Sequence, residues 1–143
     1  LYSGYVEIDA SDVLAEAFNI PDVQPLNLVG DSSLTKNKVI IRAGLTFSTN
    51  SSNNTVKIHK VNGSTTSTGL YYVVSRKFYW RNPGSGKGAV TTPTVTSWNY
   101  SVTDSWGLYN SSLRPYALLE AVIDVPDMSG GAETISVMYS LQP

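Results

Sequence analysis

The sequence predicts an all-β domain, an antiparallel sandwich with one short helix after its first strand. Residues 69–80, GLYYVVSRKFYW, combine aromatic and β-branched residues more densely than any other segment, which is typical of a strand. Most other apolar residues alternate with polar ones at the two-residue period of strands. With 143 residues and 41% apolar residues, the chain is long enough for one domain with a core of its own.

The first part of the chain changes from a strand to a helix. Residues 5–8 alternate as a short strand, and a helical period replaces that alternation over residues 11–18. Ser11 or Asp12 is expected to cap the helix, and Pro21 prevents its continuation. Its expected apolar stripe consists of Val13, Leu14, Ala17 and Phe18. Prolines, a glycine and a polar run then predict a long connection over residues 19–37.

The middle of the chain predicts strands separated by turns. Residues 38–49 are expected to form a buried strand, and residues 55–61 a strand with Val56 and Ile58 inward. The pair Asn62-Gly63 begins a predicted turn over residues 62–69. The strand at residues 69–80 then has apolar residues on both faces, so it is expected to lie centrally in its sheet. One face is predicted to carry Tyr71, Val73, Ser75, Lys77 and Tyr79, and the other Tyr72, Val74, Arg76, Phe78 and Trp80.

The last part of the chain predicts a loop and three more strands. Residues 81–93 have the composition of a mobile loop. Residues 94–102 form a predicted strand with Thr96, Trp98, Tyr100 and Val102 on one face. Residues 104–115 turn again, and two strands at residues 116–125 and 133–141 should pair through a hairpin loop. About seven or eight strands with one minor helix indicate a β-sandwich, and a jelly roll is the first choice among sandwiches.

Charge and cysteine content exclude several classes of function. Ten Lys and Arg balance eleven Asp and Glu, so no basic surface for nucleic acid is expected. Cysteine is absent, which excludes thiol catalysis, disulfides and thiolate metal sites. No apolar run approaches the roughly 20 residues of a transmembrane helix. The low charged fraction of 15%, with many Ser, Thr and Asn residues, is typical of an extracellular or virion β-protein.

Three motifs that suggest catalysis or metal binding have simpler interpretations. Residues 84–88, GSGKG, lack the full phosphate-loop pattern and precede a β-rich run where a helix is required. His59 is the only histidine, and we expect a surface position for it. The pairs Asp124 with Asp127 and Asp9 with Asp12 fit turns and a helix start. We therefore expect no enzyme activity, no cofactor and no metal site.

An aromatic cluster is the candidate ligand site. Flat aromatic faces stack on sugar rings, while amides and carboxylates hydrogen-bond sugar hydroxyls. Asn82, Asn99, Asp104 and Asn110 interleave with the aromatics. The alternative is that these rings serve the core or subunit packing. The candidate ligand-binding residues are Trp80, Arg81, Trp98, Tyr100, Trp106 and Tyr109.

Five asparagines stand in N-glycosylation sequons, in predicted turns or strand ends. The sequons are informative only if the chain passes through a eukaryotic secretory route. They are Asn50, Asn53, Asn62, Asn99 and Asn110.

The chain as a whole resembles the C-terminal knob of a viral fibre, and more narrowly the knob of a bacteriophage tail needle. The resemblance is carried by a cysteine-free, Ser/Thr/Asn-rich β-domain of this length that opens within a strand at Leu1 and finishes with the strand ETISVMYSLQP. It implies a homotrimeric jelly roll like that of tumour necrosis factor. Residues 1–143 would then be a single knob domain, the C-terminal domain of a longer fibrous protein.

The expected function is non-enzymatic attachment to, or penetration of, a host cell surface through a receptor or glycan, with the knob on the virion surface. The mixed faces of the strand at residues 69–80 also favour a homotrimer, because a subunit interface would cover the surplus apolar surface. The alternatives are a carbohydrate-binding module of a secreted protein, a small viral capsid-type jelly roll and a hydrolase that uses Asp124 or Asp127.

Overall fold

The computed structural model describes residues 1–20, 23–25, 34–108, 114–126 and 131–141, with the backbone alone at residues 23–25 and 34–35. The elements are β1 Tyr2–Asp9, α1 Ser11–Phe18, β2 Val23–Pro25, β3 Leu34–Lys36, β4 Lys38–Asn50, β5 Thr55–Thr68, β6 Tyr72–Arg81, β7 Gly88–Thr91, β8 Ser97–Ser101, β9 Gly107–Leu108, β10 Tyr116–Asp124 and β11 Glu133–Ser140.

Two antiparallel sheets pack face to face, which confirms the predicted all-β sandwich. The first sheet has the strand order β1-β4-β5-β8, with β9 also paired to β5. The second sheet has the order β11-β10-β6-β7, and β2 pairs with β3 in a separate two-stranded ribbon. The predicted pairing of the last two strands and the central position of β6 are both confirmed. The jelly-roll arrangement stays a prediction.

The core lies between the sheets and is built from alternate residues of each strand. On β4 and β10 the inward side chains are fully buried, and each buried Leu or Ile contributes about 1.5 to 3 kcal/mol relative to an exposed one. These side chains are Val39, Ile41, Ala43, Leu45, Ala117, Leu119, Ala121 and Ile123. Because the period is two, the residues between them form the outer faces of the sandwich.

The helix has the predicted boundaries but a different cap and a narrower buried stripe. Ala10 is the N-cap residue and forms no side-chain cap hydrogen bond. The Ser11 hydroxyl instead donates to the Asp9 carboxylate and accepts a hydrogen bond from the backbone nitrogen of Val39. The prediction that Ser11 or Asp12 caps the helix is therefore wrong, because Ser11 is used to join α1 to β4.

The buried side of α1 is set by the strands beneath it. Leu14 and Phe18 are buried, whereas Val13 is 65% exposed and Ala17 is exposed as well, so neither Val13 nor Ala17 belongs to the packed stripe. The helix ends at Asn19 in the left-handed conformation, with a φ of 55°. The end of the helix thus precedes Pro21, which lies outside the described residues.

The predicted turn at Asn62-Gly63 is wrong, because β5 continues through these residues to Thr68. Gly63 pairs with Ala43 on one side and with Trp98 on the other. A Cβ atom on Gly63 would lie 2.7 Å from Cε2 of Trp98. Glycine is therefore required here by the close approach of an indole ring, and a turn is not formed.

The segment after β6 also differs from the prediction. Residues 82–87 form a tight turn and residues 88–91 form β7, so much of the predicted loop belongs to a hairpin. The strand predicted at residue 69 begins at residue 72, because Gly69 has a φ of 70°. The Leu70 backbone nitrogen then donates to Asn37 Oδ1 at 2.8 Å, which anchors this turn.

The predicted faces of β6 are also altered by a bulge. The register with β10 shifts beside Val74, so that Ser75 pairs with Val122 and Val73 with Ile123. Val73 therefore joins Phe78 and Trp80 against the core, although the alternation predicts it on the opposite face.

Candidate functional site

The predicted aromatic ligand cluster lies largely between the two sheets. Trp98 is 5% exposed, and its ring packs edge-on against Phe78 with 5.4 Å between ring centroids. Trp80 is half-buried and lies 5.9 Å from Phe78 and 6.3 Å from Tyr100. The structure therefore brings Trp80, Trp98 and Tyr100 together as inter-sheet packing, and the ring of Trp98 has no free face for a ligand.

The other predicted ligand residues are not part of this packing. Trp106 is 48% exposed, and Arg81 is half-buried at the end of β6. Tyr109 lies outside the described residues, as do Asn110 and Asp127. Trp106 is thus the exposed aromatic ring among the five candidates that the structure describes.

A different set of residues forms a groove on the outer face of the first sheet. The strand registers place Tyr5, Gly44, Asn62 and Asn99 side by side in one row across β1, β4, β5 and β8. The adjacent row continues the groove with Arg42 of β4 and with serines of β5 and β8. We call this surface the Tyr5 groove, and its volume is about 330 Å³. That volume is at the lower end of the range for small-molecule sites.

Gly44 of β4 lies between Tyr5 of β1 and Asn62 of β5, two strands that are not paired with each other. A Cβ atom at Gly44 would lie 2.9 Å from Asn62 Oδ1 and 2.9 Å from Tyr5 Cβ. The missing side chain lets the Tyr5 ring and the Asn62 amide approach each other across β4. An aromatic face and a hydrogen-bonding amide therefore flank the same depression.

Arg42 fixes the aromatic wall of the groove. The Arg42 Cζ atom lies 3.7 Å from the centroid of the Tyr5 ring, which is a close cation–π contact. Tyr5 is still 54% exposed, because the guanidinium covers one side of the ring. The contact holds both side chains in place without burying them.

The polar groups of the Tyr5 groove are available to a ligand. In the described part of the chain, the side chains of Asn62, Asn99, Ser64 and Ser97 form no hydrogen bond with another residue. Each amide offers an acceptor oxygen and two donor hydrogens, and each hydroxyl offers one donor and two acceptor lone pairs. The groove therefore presents an unpaired hydrogen-bonding surface beside an aromatic ring.

The catalytic motifs predicted from the sequence can be compared with the structure only where their residues are described, which leaves out Asp127. Ser48 Oγ and His59 Nε2 are 2.8 Å apart, but no carboxylate hydrogen-bonds the other imidazole nitrogen among the described residues. Asp124 accepts a hydrogen bond from the Val125 backbone nitrogen in a turn. The GSGKG segment lies between β6 and β7, and a phosphate loop requires a helix after it. The described residues contain no group of three or more potential metal ligands.

A second cavity of about 470 Å³ lies along one edge of β6. It is lined by residues 73–77 and 92–94. Strand β7 pairs with β6 only from Phe78 to Arg81, so residues 73–77 of β6 have no β7 partner. Consecutive residues of a strand point to opposite faces, so this cavity borders a backbone edge. Its described polar lining consists of hydroxyl groups and of the cations Arg76 and Lys77, with no aromatic ring and no amide side chain, and Arg76 Nε already donates to Thr65 Oγ1 at 2.9 Å.

Sequence reasoning missed Tyr5 and Arg42 and placed Asn62 in a turn. These residues lie on three strands, and local alternation does not show which strands become neighbours. The available signal is Gly44, a glycine inside an otherwise continuous β-run, which often marks a close approach of other groups.

Compared with protein-family models, with curated proteins and with solved structures, the chain matches none of them. Within the described ranges, no helix has the length and apolar character needed to cross a membrane. The Tyr5 groove is therefore the feature of the molecule that points to a function.

Proposed function

We propose that the chain is a non-enzymatic attachment module that binds a glycan of a host cell surface in the Tyr5 groove. The observation that carries the proposal is the row of Tyr5, Asn62 and Asn99 with unpaired amides beside an exposed ring. A sugar ring presents C–H groups to an aromatic face and hydroxyls at its edge. The groove supplies a partner for each of these groups.

The resemblance to a virion fibre or tail-needle knob suggests a biological role for glycan binding, which is attachment of the virion to its host cell. A knob at the tip of a fibre meets the host cell first, and a shallow groove on an open sheet is accessible to a surface glycan. The alternative is a carbohydrate-binding module of a secreted protein, with the same groove. The sequence of the parent gene distinguishes the two hypotheses. A fibrous stem encoded before this domain would support the knob, and a hydrolase domain would support the carbohydrate-binding module.

Homotrimer formation belongs to the same proposal, and the outer face of the second sheet supports self-association. The registers place Met138, Leu118, Tyr79 and Val90 in one row across β11, β10, β6 and β7. Met138 is 53% exposed and Val90 is 52% exposed. A subunit interface would remove this apolar row from water, and three-fold symmetry follows from the fibre resemblance.

Light scattering on the purified chain tests the assembly. We expect a mass of about three times 15.5 kDa that is independent of concentration. A mass equal to that of one chain at all concentrations would contradict the trimer and weaken the fibre proposal. Replacing Met138 with Lys should dissociate the trimer, whereas replacing the exposed helix residue Val13 with Lys should not.

A glycan array with two variants tests the groove. Tyr5→Ala should weaken glycan binding about three- to tenfold, the loss expected for one aromatic stacking contact. Trp106→Ala removes an equally exposed ring outside the groove and should leave binding unchanged. The thermal midpoint of each variant shows that the fold is intact.

Two outcomes would contradict this assignment. Loss of binding in Trp106→Ala with normal binding in Tyr5→Ala would move the site to the sequence-predicted aromatic cluster. A wild-type chain that binds no glycan on the array would refute the glycan proposal itself.

A further inference from the structure

We infer that the Tyr5 groove selects an anionic saccharide, whose acidic group pairs with the guanidinium of Arg42. This inference rests on the proposed function and specifies its ligand class. The Tyr5 groove has one charged residue in its described lining, and that residue is Arg42. A guanidinium can donate to neutral hydroxyls, but its hydrogen bonds to an ionised group are roughly twice as strong, so an acidic sugar gains more from Arg42.

The charge of Arg42 is not neutralised by the protein. Glu7 is its cross-strand partner on β1, yet Arg42 forms no ion pair with any described carboxylate. Lys60, on the other side of the Tyr5 row, adds a second positive charge next to the groove. The charged residues on this face around the groove are Asp9 and Glu7 against Lys38, Arg42 and Lys60, which leaves one net positive charge that attracts an anion.

The stacking of Arg42 on Tyr5 leaves its hydrogen-bonding capacity intact. A guanidinium is planar and its five N–H donors lie in that plane, so stacking through its flat side leaves the donors free for a ligand. At 3.7 Å from the ring centroid, the guanidinium is held in position while its donors stay available. Since the side chain is already ordered, binding costs less conformational entropy than it would for a free surface arginine.

A carboxylate is the group that best matches this arrangement. Two parallel N–H groups of an arginine form a bidentate pair with the two oxygens of a carboxylate, and a sulfate ester offers similar oxygens. Ser64 and Ser97 share the row of Arg42, and Asn62 and Asn99 form the next row. An acidic sugar would therefore place its anionic group on Arg42 and its hydroxyls on the amides and serines.

The experiment measures the affinity of the purified protein, in the assembly state in which it is isolated, for three oligosaccharides. They are a uronic-acid oligosaccharide, the same oligosaccharide with its carboxyl groups reduced to alcohols, and a sulfated neutral oligosaccharide. A glutamate-rich peptide is the fourth probe. We expect the uronic-acid form to bind at least about tenfold more tightly than the reduced form, with an affinity that decreases as salt increases.

Variants locate the selectivity at Arg42. Arg42→Gln should remove the preference for the acidic form, and Arg42→Lys should retain part of it. Because Arg42 also orders the Tyr5 ring, the readout is the ratio of the two affinities in each variant, acidic form over reduced form. Lys60→Gln is the matched control, because it removes a neighbouring positive charge that does not line the groove. The Lys60→Gln variant should keep the preference for the acidic form over the reduced form.

The outcomes separate this inference from the proposed function. Equal binding of the acidic and reduced forms, lost in Tyr5→Ala, would overturn the anionic preference and support a neutral-glycan site. A preference that persists in Arg42→Gln would also overturn it, as would stronger binding of the glutamate peptide than of any saccharide. Stronger binding of the sulfated form than of the uronic form would support an anionic saccharide with a sulfate in place of the carboxylate. Absence of saccharide binding would refute both proposals.

Discussion

Replacing Gly63 with alanine tests the packing that joins the two sheets. The added Cβ atom would lie 2.7 Å from Cε2 of Trp98 and 3.0 Å from the carbonyl oxygen of Arg42. The indole ring cannot easily move away, because Phe78 packs against it and it is 5% exposed. Overpacking of this kind costs about 1 to 3 kcal/mol of the free energy of unfolding.

The size of the effect can be converted into a melting temperature. A chain of 143 residues has an unfolding entropy of about 0.3 kcal/mol/K at its midpoint, so Gly63→Ala should lower the thermal midpoint by about 3 to 10 °C. Gly88→Ala is the control, since its nearest contact would be the carbonyl oxygen of Trp80 at 3.8 Å. That variant, also in a strand, should change the midpoint by no more than about 2 °C.

A double-mutant cycle identifies the ring as the cause. Trp98→Leu removes the ring, and in that background Gly63→Ala should cost less than about 0.5 kcal/mol in a urea titration. The coupling free energy between the two positions should thus be about 1 to 3 kcal/mol. An equal cost of Gly63→Ala in both backgrounds would refute the reasoning and assign the strain to the backbone of Arg42.

Two further predictions concern stability. The hydroxyl and backbone N–H of Ser11 both donate to the Asp9 carboxylate and hold the pKa of Asp9 below its ordinary value. A lowered pKa in the folded state adds stability at neutral pH that is progressively lost as the pH falls below about 4, so Asp9→Asn should lower the urea midpoint at pH 7 and lower it by less at pH 2. An equal decrease of the urea midpoint at both pH values would contradict a stabilising role for the ionised Asp9 carboxylate. Trp98→Ala should cost about 3 to 5 kcal/mol, and Trp106→Ala less than about 1 kcal/mol, in the same titration.

Elements whose signal is local could be predicted from the amino-acid sequence. The strict alternation of β11 and the boundaries of α1 follow from the period of the side chains along the chain, whereas the buried stripe of α1 does not, because Val13 and Ala17 are exposed. The sequence also shows which residues of β8 share a face, since Trp98 and Tyr100 both lie on the core side. Tyr109 and the loop between β10 and β11 fall partly or wholly outside the described residues.

The tertiary structure decided how these elements meet. Asn62-Gly63 has the local signature of a turn, but pairing with β4 and β8 and the approach of Trp98 keep it extended. The same long-range pairing makes Tyr5 a neighbour of Asn62, although they are far apart in the sequence. A period of two tells which residues share a face, but only strand order and register determine which residues become neighbours across the sheet. The candidate site is a property of that register.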